Sequence, residues 1–206
     1  MKGKVSKNKF LKVVLPALLV VAIICQAVGF QAVLAKGNVA STSSDSISNL
    51  TDQQLQALTN PILQSYKADS SHKVWKMTND SRLAVLANQT NIENARLQEV
   101  VKLVNSEFVE KEIISSPLAM VYAQEKDVSY GDILIDIDQT SSITSSSNSK
   151  EAYKITIGEN GVRLTGASEN AIMHGLRTIQ NLIITNDGLV YGEIVDYPNV
   201  AERRVH

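Results

Sequence analysis

Apolar residues recur along the chain at two spacings, and each spacing predicts a different kind of element. Near 94–110 and 168–184 they fall three and four positions apart, which predicts two amphipathic helices. Elsewhere they alternate with polar residues or form short runs, which predicts strands. The predicted strands are 82–87, 132–138, the two arms of 152–165, and about 189–195.

Turn and capping signals between these segments indicate the fold class. Asn160-Gly161 lies in the middle of 152–165 and predicts a two-residue hairpin turn, because both residues tolerate positive φ. Ser168 is a favourable N-cap for the second helix. A hairpin mixed with helices predicts an α+β fold: a two-layer sandwich in which a mostly antiparallel sheet carries two helices on one face.

The first 35 residues have the layout of a secretory signal peptide. Five lysines and no acidic residue accompany an apolar run from 13 to 30, and Val33-Leu34-Ala35 offers a cleavage point after Ala35. A retained anchor is the alternative, since the run approaches the roughly 20 residues that a membrane span needs. The only cysteine, Cys25, lies within 1–35, so the remaining chain has no thiol. We expect a secreted or cell-surface protein.

The rest of the chain divides into three parts. Residues 36–72 are rich in serine and poor in apolar residues, which predicts a linker with at most one short helix, capped by Thr51. Residues 73–195 hold the predicted sheet and helices. Residues 196–206 begin with Asp196-Tyr197-Pro198, a turn sequence that separates them from this domain.

The net charge of the chain limits the classes of binding partner that we expect. The first 35 residues contain five basic residues and no acid, so the remainder carries 15 basic against 21 acidic residues, a net charge of −6. Nucleic acids and anionic membranes both call for clustered lysine and arginine. We therefore expect no nucleic-acid partner, and no membrane partner once the signal peptide is cleaved.

Candidate catalytic and metal-binding residues are few. Asp132, Asp136 and Asp138 share one face of a predicted strand, where carboxylates could hold Ca²⁺ or act as acid and base. The segment lacks the turn glycine and final glutamate of a calcium loop. We therefore expect the three aspartates to lie on the solvent-exposed, wet face of a half-exposed antiparallel strand. His174 has no second histidine or cysteine at helical spacing, which favours a packing role. These residues predict no catalytic site, no metal site and no cofactor.

Five short motifs, taken in order, give the chain a family resemblance. They are Gly131-Asp132-Ile133, Glu151-Ala152-Tyr153, Asn160-Gly161, Gly175-Leu176-Arg177-Thr178-Ile179 and Ile194-Val195-Asp196-Tyr197-Pro198. Over about 73–206 the sequence resembles the accessory domain that precedes the catalytic barrel in glycoside hydrolase family 20. That family comprises β-N-acetylhexosaminidases, chitobiases and lacto-N-biosidases.

The resemblance implies an enzyme of which this chain is the N-terminal part. Such enzymes remove terminal β-linked N-acetylhexosamine from glycans by a substrate-assisted retaining mechanism, in which the substrate's acetamido oxygen attacks the anomeric carbon. It also implies that the accessory domain packs on the barrel and that 196–206 are the first residues of the truncated catalytic domain. By the family pattern, Arg203 binds substrate hydroxyls. Asn199 and Arg204 depart from that pattern.

Catalysis by these 206 residues alone is not expected. The family uses a neighbouring Asp-Glu pair, and the sequence contains no Asp-Glu dipeptide. Its single tryptophan, Trp75, cannot build the aromatic pocket that grips an N-acetyl group. Two alternatives stay open: the leading domain of an O-GlcNAcase-like family 84 hydrolase, and a stand-alone exported carbohydrate-binding or adhesion module.

Overall fold

Seven strands form one mixed sheet in a computed structural model that describes residues 47–139, 143 and 150–197. The sheet order is β1-β9-β6-β7-β5-β3-β4, and β2 and β8 form a separate two-stranded ribbon. The strands are β1 Ser65–Ala68, β2 Val74–Trp75, β3 Arg82–Leu86, β4 Ala119–Ala123, β5 Ile133–Ile137, β6 Tyr153–Gly158, β7 Gly161–Gly166, β8 Leu189–Val190 and β9 Gly192–Asp196.

The type of strand pairing changes once across the large sheet, from antiparallel to parallel. The pairs β1/β9, β9/β6 and β6/β7 are antiparallel, whereas β7/β5, β5/β3 and β3/β4 are parallel. With the antiparallel β2/β8 ribbon, four of the seven described pairs are antiparallel. The α+β class is confirmed, with the sheet mixed. Between β3 and β4 the chain crosses over through the helix Ala95–Glu110, which allows these two neighbours to run parallel.

Two long helices cover one face of the sheet, as predicted from the apolar spacing. The described helices are α1 Asp52–Gln56, α2 Gln89–Ile92, α3 Ala95–Glu110 and α4 Glu169–Asn186, and Glu125–Asp127 form a 3₁₀ turn. Side-chain oxygens of Asn94 and Ser168 accept from the backbone N–H three residues later at the starts of α3 and α4. Asp187, with φ of 59°, ends α4 in the left-handed conformation.

The core lies between these two helices and alternate residues of the strands. Buried on the strand side are Ile133, Ile135, Ile155, Ile157, Val162 and Leu164; buried on the helix side are Leu97, Val101, Val104, Phe108, Leu176 and Ile179. Gly175 faces Leu164 and Tyr153, and a Cβ at this position would collide with Leu164. A glycine there lets α4 approach the sheet closely, which is a physical reason for the glycine in the Gly-Leu-x-Thr-Ile motif.

The predicted linker 36–72 is too long. Within its described part, Ile47, Leu55, Leu63 and Tyr66 are at most 4% exposed and belong to the same core. β1 pairs with β9, and the Tyr66 hydroxyl donates to the Val190 carbonyl at 2.8 Å. These apolar residues are too widely spaced to produce a periodic signal. The one short helix expected here is α1, with the Thr51 cap in place.

The hairpin of β6 and β7 forms as predicted, but its turn is displaced by one residue. Gly158 pairs with Gly161, so Glu159 and Asn160 make the turn and Gly161 is the first residue of β7. Of these turn residues only Gly161 has positive φ, at 93°. A Cβ at Gly161 would come within 2.6 Å of the Asp132 carbonyl oxygen and 2.8 Å of the Ser129 carbonyl oxygen. Gly161 therefore owes its place to close packing on the loop 129–132 before β5, and not to a type I′ turn.

Both ends of the chain extend past the described residues. The predicted signal peptide 1–35 lies outside them, as does 198–206 of the segment that begins at Asp196. Among the helices that the structure describes, none has the length and apolar character required to span a membrane.

Candidate functional site

The carboxylate of Asp196 joins three elements at the point where β9 ends. The Tyr153 hydroxyl, from β6, donates to Asp196 Oδ2 at 2.9 Å. The backbone N–H of Gln64, just before β1, donates to Oδ1 at 3.2 Å. Each oxygen of this carboxylate therefore fixes a different neighbouring strand, and the aspartate in the Ile-x-Asp-x-Pro motif acquires a structural role.

Tyr153 extends the same network into the helix layer. Its hydroxyl lies 2.6 Å from Thr178 Oγ1 on α4. A phenol has one proton, and a carboxylate only accepts, so Tyr153 donates to Asp196 and Thr178 donates to Tyr153. Burial, followed by the nearby charge of Asp196, raises the pKa of Tyr153 well above its ordinary value. The phenol is thus held neutral, as a donor must be.

A cavity of about 130 Å³ opens beside this network. Its walls come from the loop 59–63, from Glu151 and Tyr153, from α4, and from Asp196 and Tyr197. The α4 side chains that line it are His174, Arg177, Thr178 and Asn181. The cavity therefore lies where the described chain leaves the domain.

Arg177 fixes the outer side of α4 to α3. Its Nε and Nη2 donate to the two carboxylate oxygens of Glu107 at 3.1 and 2.6 Å. This bidentate geometry gives direction as well as attraction. The hydrogen bond from Arg177 lowers the pKa of Glu107, and burial opposes it only in part. The wall of the cavity is consequently held by an ion pair to the second helix.

The prediction that Asp132 lies on a wet strand face is wrong. Asp132 is 1% exposed and accepts from Arg82 Nε at 3.0 Å, Arg82 Nη2 at 2.5 Å and the Ser129 N–H at 2.8 Å. Burial works against the charged form, yet these hydrogen bonds together lower the pKa of Asp132. The reason is topological: β5 is a central strand with parallel neighbours on both sides. Asp132 therefore has a structural role.

The other two aspartates are separated from Asp132 along β5. Asp136 is 7% exposed and accepts from Asn88 Nδ2, Asn91 Nδ2 and, at 3.3 Å, Arg163 Nη2. Asp138 is half-buried beyond the end of the strand. In 47–139, 143 and 150–197 no group of three or more histidine, cysteine or acidic side chains could hold a metal ion.

The predicted site residues have different outcomes. His174 lies half-buried on α4, consistent with a packing histidine, and it lines the cavity beside Asp196. Arg203 lies outside the described residues, so its assignment to substrate hydroxyls stays a prediction. No sequence pattern points to Gln64, which contributes only a backbone N–H. Tyr153 and Thr178 stood in motifs, and the hydroxyl contact between them could not be read from either.

These features define a class: a two-layer α+β domain whose final strand is anchored to its neighbours before the chain moves on. The family model described as glycosyl hydrolase family 20, domain 2, matches residues 59–197. The match covers well over half of the 206 residues and includes both β1 and Asp196. The chain belongs to this family.

Solved structures agree on the fold. Flavobacterium johnsoniae chitobiase is similar with a TM-score of 0.52 and 15% identity, over 73% of this chain and 22% of that one. Streptomyces plicatus N-acetyl-β-hexosaminidase in complex with Thio-NAglucal gives a TM-score of 0.50 at 14% identity, over 74% of this chain and 28% of that one. The chain therefore spans about a quarter of these proteins. A search of curated proteins found no match.

Proposed function

We propose that the chain is the N-terminal part of a secreted glycoside hydrolase that removes terminal β-linked N-acetylhexosamine from glycans. The observation that carries this proposal is the match to domain 2 of glycosyl hydrolase family 20, which runs from 59 to 197 and ends at the Asp196 junction. The catalytic residues belong to the remainder of the protein. This domain packs on that remainder and does not itself catalyse the reaction.

The geometry around Asp196 supports a positioning role for the domain. Hydrogen bonds from Tyr153 and Gln64 fix the end of β9, and the cavity wall on α4 is fixed by Arg177. The next segment, 198–206, starts from this fixed point. In the proposed enzyme Arg203 binds two neighbouring sugar hydroxyls, because a planar guanidinium can donate two parallel hydrogen bonds. The domain thus provides a rigid origin for a substrate-binding segment.

The chemistry assigned to the remainder is substrate-assisted hydrolysis. The acetamido oxygen of the sugar attacks the anomeric carbon, an Asp-Glu pair orients the amide and protonates the leaving oxygen, and water then opens the intermediate. The present sequence has no Asp-Glu dipeptide. Its one tryptophan, Trp75, is fully buried and donates from Nε1 to the Tyr130 carbonyl at 2.6 Å. Trp75 therefore packs in the core and does not stack on a sugar.

Export is part of the proposal. The five lysines, the apolar run 13–30 and the Val33-Leu34-Ala35 site support a signal peptide that is cleaved after Ala35. The net charge of −6 on the remaining residues fits a glycan partner, which needs no basic surface.

Hydrolysis of an aryl β-N-acetylglucosaminide tests the function. We expect the complete product of the encoding gene to release the aryl group with retention at the anomeric carbon, and residues 36–206 alone to release none above buffer. Activity that follows 36–206 through purification would contradict a non-catalytic domain. A complete product without an Asp-Glu pair, or with no hydrolytic activity, would contradict the enzyme assignment.

A further inference from the structure

The two edge strands of the seven-stranded sheet, β1 and β4, differ in how their outer edges are covered. At one edge, α1 lies beside β1, and Asp52 Oδ1 accepts from the N–H of Ala68 at 3.0 Å. The same strand carries Lys67, which is exposed. A covering helix and an edge lysine are two of the devices that keep a sheet edge from pairing with another chain. The β1 edge is therefore closed.

Over residues 119–123 the β4 edge has neither device, and the helix side chain that reaches this edge, Asn105, bonds only to Leu118 before the strand begins. Residues 119–123 read Ala-Met-Val-Tyr-Ala, with no charge and no proline, and Tyr122 is 47% exposed. The N–H of Ala87 donates to the Ala123 carbonyl at 2.9 Å, so the backbone groups of Ala123, and by alternation those of Val121, point towards β3. Those of Met120 and Tyr122 point away from the sheet. Within the described ranges, no backbone group accepts from or donates to them.

We propose that β4 is a self-association surface, which pairs antiparallel with β4 of a second copy of this chain about a two-fold axis at Val121. This register places Met120 opposite Tyr122 of the partner, so the outward N–H and C=O groups on both sides meet as hydrogen-bonded pairs. A two-fold pairing satisfies four backbone donors and acceptors on each copy. The pairing is independent of the proposed glycosidase activity.

Side chains in this register are compatible with a second copy. Ala119 faces Ala123, small against small, and Met120 faces Tyr122, a favourable sulfur–aromatic pair. The flanks bring 115–118, which are Ser-Ser-Pro-Leu, against 124–127, which are Gln-Glu-Lys-Asp, so no like charges oppose each other. An acidic or basic strand paired in the same way would place its charges opposite uncharged residues of β4. Self-pairing is the occupant that this neutral strand fits.

β4 is also held in place before a partner arrives. The side chain of Asn105 on α3 accepts from the N–H of Leu118 at 2.9 Å and donates to its carbonyl at 2.8 Å. This double contact, buried under the helix, fixes the residue that precedes β4. A strand ordered in advance loses less conformational entropy when it binds.

The test is the molar mass of residues 36–206, which include every described element, by sedimentation equilibrium from low to high micromolar concentration. We expect a reversible monomer–dimer equilibrium. Tyr122→Lys puts a charge at the edge and should raise the dissociation constant about tenfold or more, which is the loss of one good contact. Tyr122→Pro removes only the outward N–H, a substitution tolerated at edges, and should do the same. Tyr130→Lys is the control, since Tyr130 is also 47% exposed but lies outside every strand.

Amide hydrogen exchange at Met120 and Tyr122 locates the surface and remains informative if a variant folds poorly. Protection of both amides should increase with protein concentration in the unmodified chain. A monomer at all concentrations would overturn the proposal. So would a dimer that Tyr122→Lys and Tyr122→Pro leave intact, or concentration-independent protection, which would mean that a segment of the same chain covers β4.

Discussion

The hydroxyl of Tyr153 donates to the carboxylate of Asp196 across the β6/β9 pair, at 2.9 Å. The two residues are also register partners in the sheet, so backbone and side chains join the same two positions. Thr178 completes the network from α4. One tyrosine thereby connects the last described strand to both layers of the domain.

Tyr153→Phe should lower the free energy of unfolding by about 1–2 kcal/mol, because it keeps the ring and removes the donor to a half-buried carboxylate. Urea denaturation of residues 36–206 measures this change. Tyr122→Phe, at an exposed position, is the control and should have almost no effect. In a double-mutant cycle with Asp196→Asn, the two effects should be markedly non-additive. Additivity would show that the Tyr153–Asp196 contact contributes nothing.

Glu107→Gln should destabilise the domain at neutral pH and not in acid. Arg177 lowers the pKa of Glu107 below its usual value near 4.5. A lowered folded-state pKa adds stability above the unfolded-state pKa, and this stability is lost as pH falls through the folded value. The melting temperatures of unmodified chain and variant should therefore differ at pH 7, and the difference should shrink as pH falls below 4.5 and through the lowered folded-state pKa of Glu107. A difference that is constant with pH would exclude the ion pair as its source.

Gly161→Val should cost at least about 1 kcal/mol, because the position has positive φ and its Cβ would approach the Asp132 and Ser129 carbonyls. Gly158→Val is the matched control in the same hairpin, since a Cβ there meets nothing within 4 Å. Thermal melts of the two variants give the comparison. Equal melting temperatures would contradict the close packing of Gly161 on the loop before β5.

Much of this fold could be predicted because its central elements have regular patterns. α3 and α4 have a helical apolar period, and β6 and β7 alternate around a glycine. β1 could not be predicted, since it has four residues of which only Tyr66 is buried. Its stability comes from pairing with β9, more than a hundred residues away, and local sequence does not encode such a partner.

The polar positions were harder to interpret than the apolar ones. An aspartate at every second position looks the same whether its face meets water or buried partners. Arg82, which donates hydrogen bonds to Asp132, lies fifty residues earlier. The junction was indicated only by the Ile-x-Asp-x-Pro motif, and the motif did not reveal that Tyr153 and Gln64 hold its aspartate.

The central claim is that this domain positions Arg203 at the substrate site of a hexosaminidase. The most direct test is a measurement of kcat/KM for the complete gene product and two of its variants. Arg203→Lys loses the planar fork that binds two hydroxyls, and should cost roughly 2–4 kcal/mol of transition-state binding, a fall of about 30- to 1,000-fold. Arg204→Lys, at a position that departs from the family pattern, should change kcat/KM little. Melting temperatures establish that both variants fold. A large loss with Arg204→Lys and none with Arg203→Lys would contradict the account.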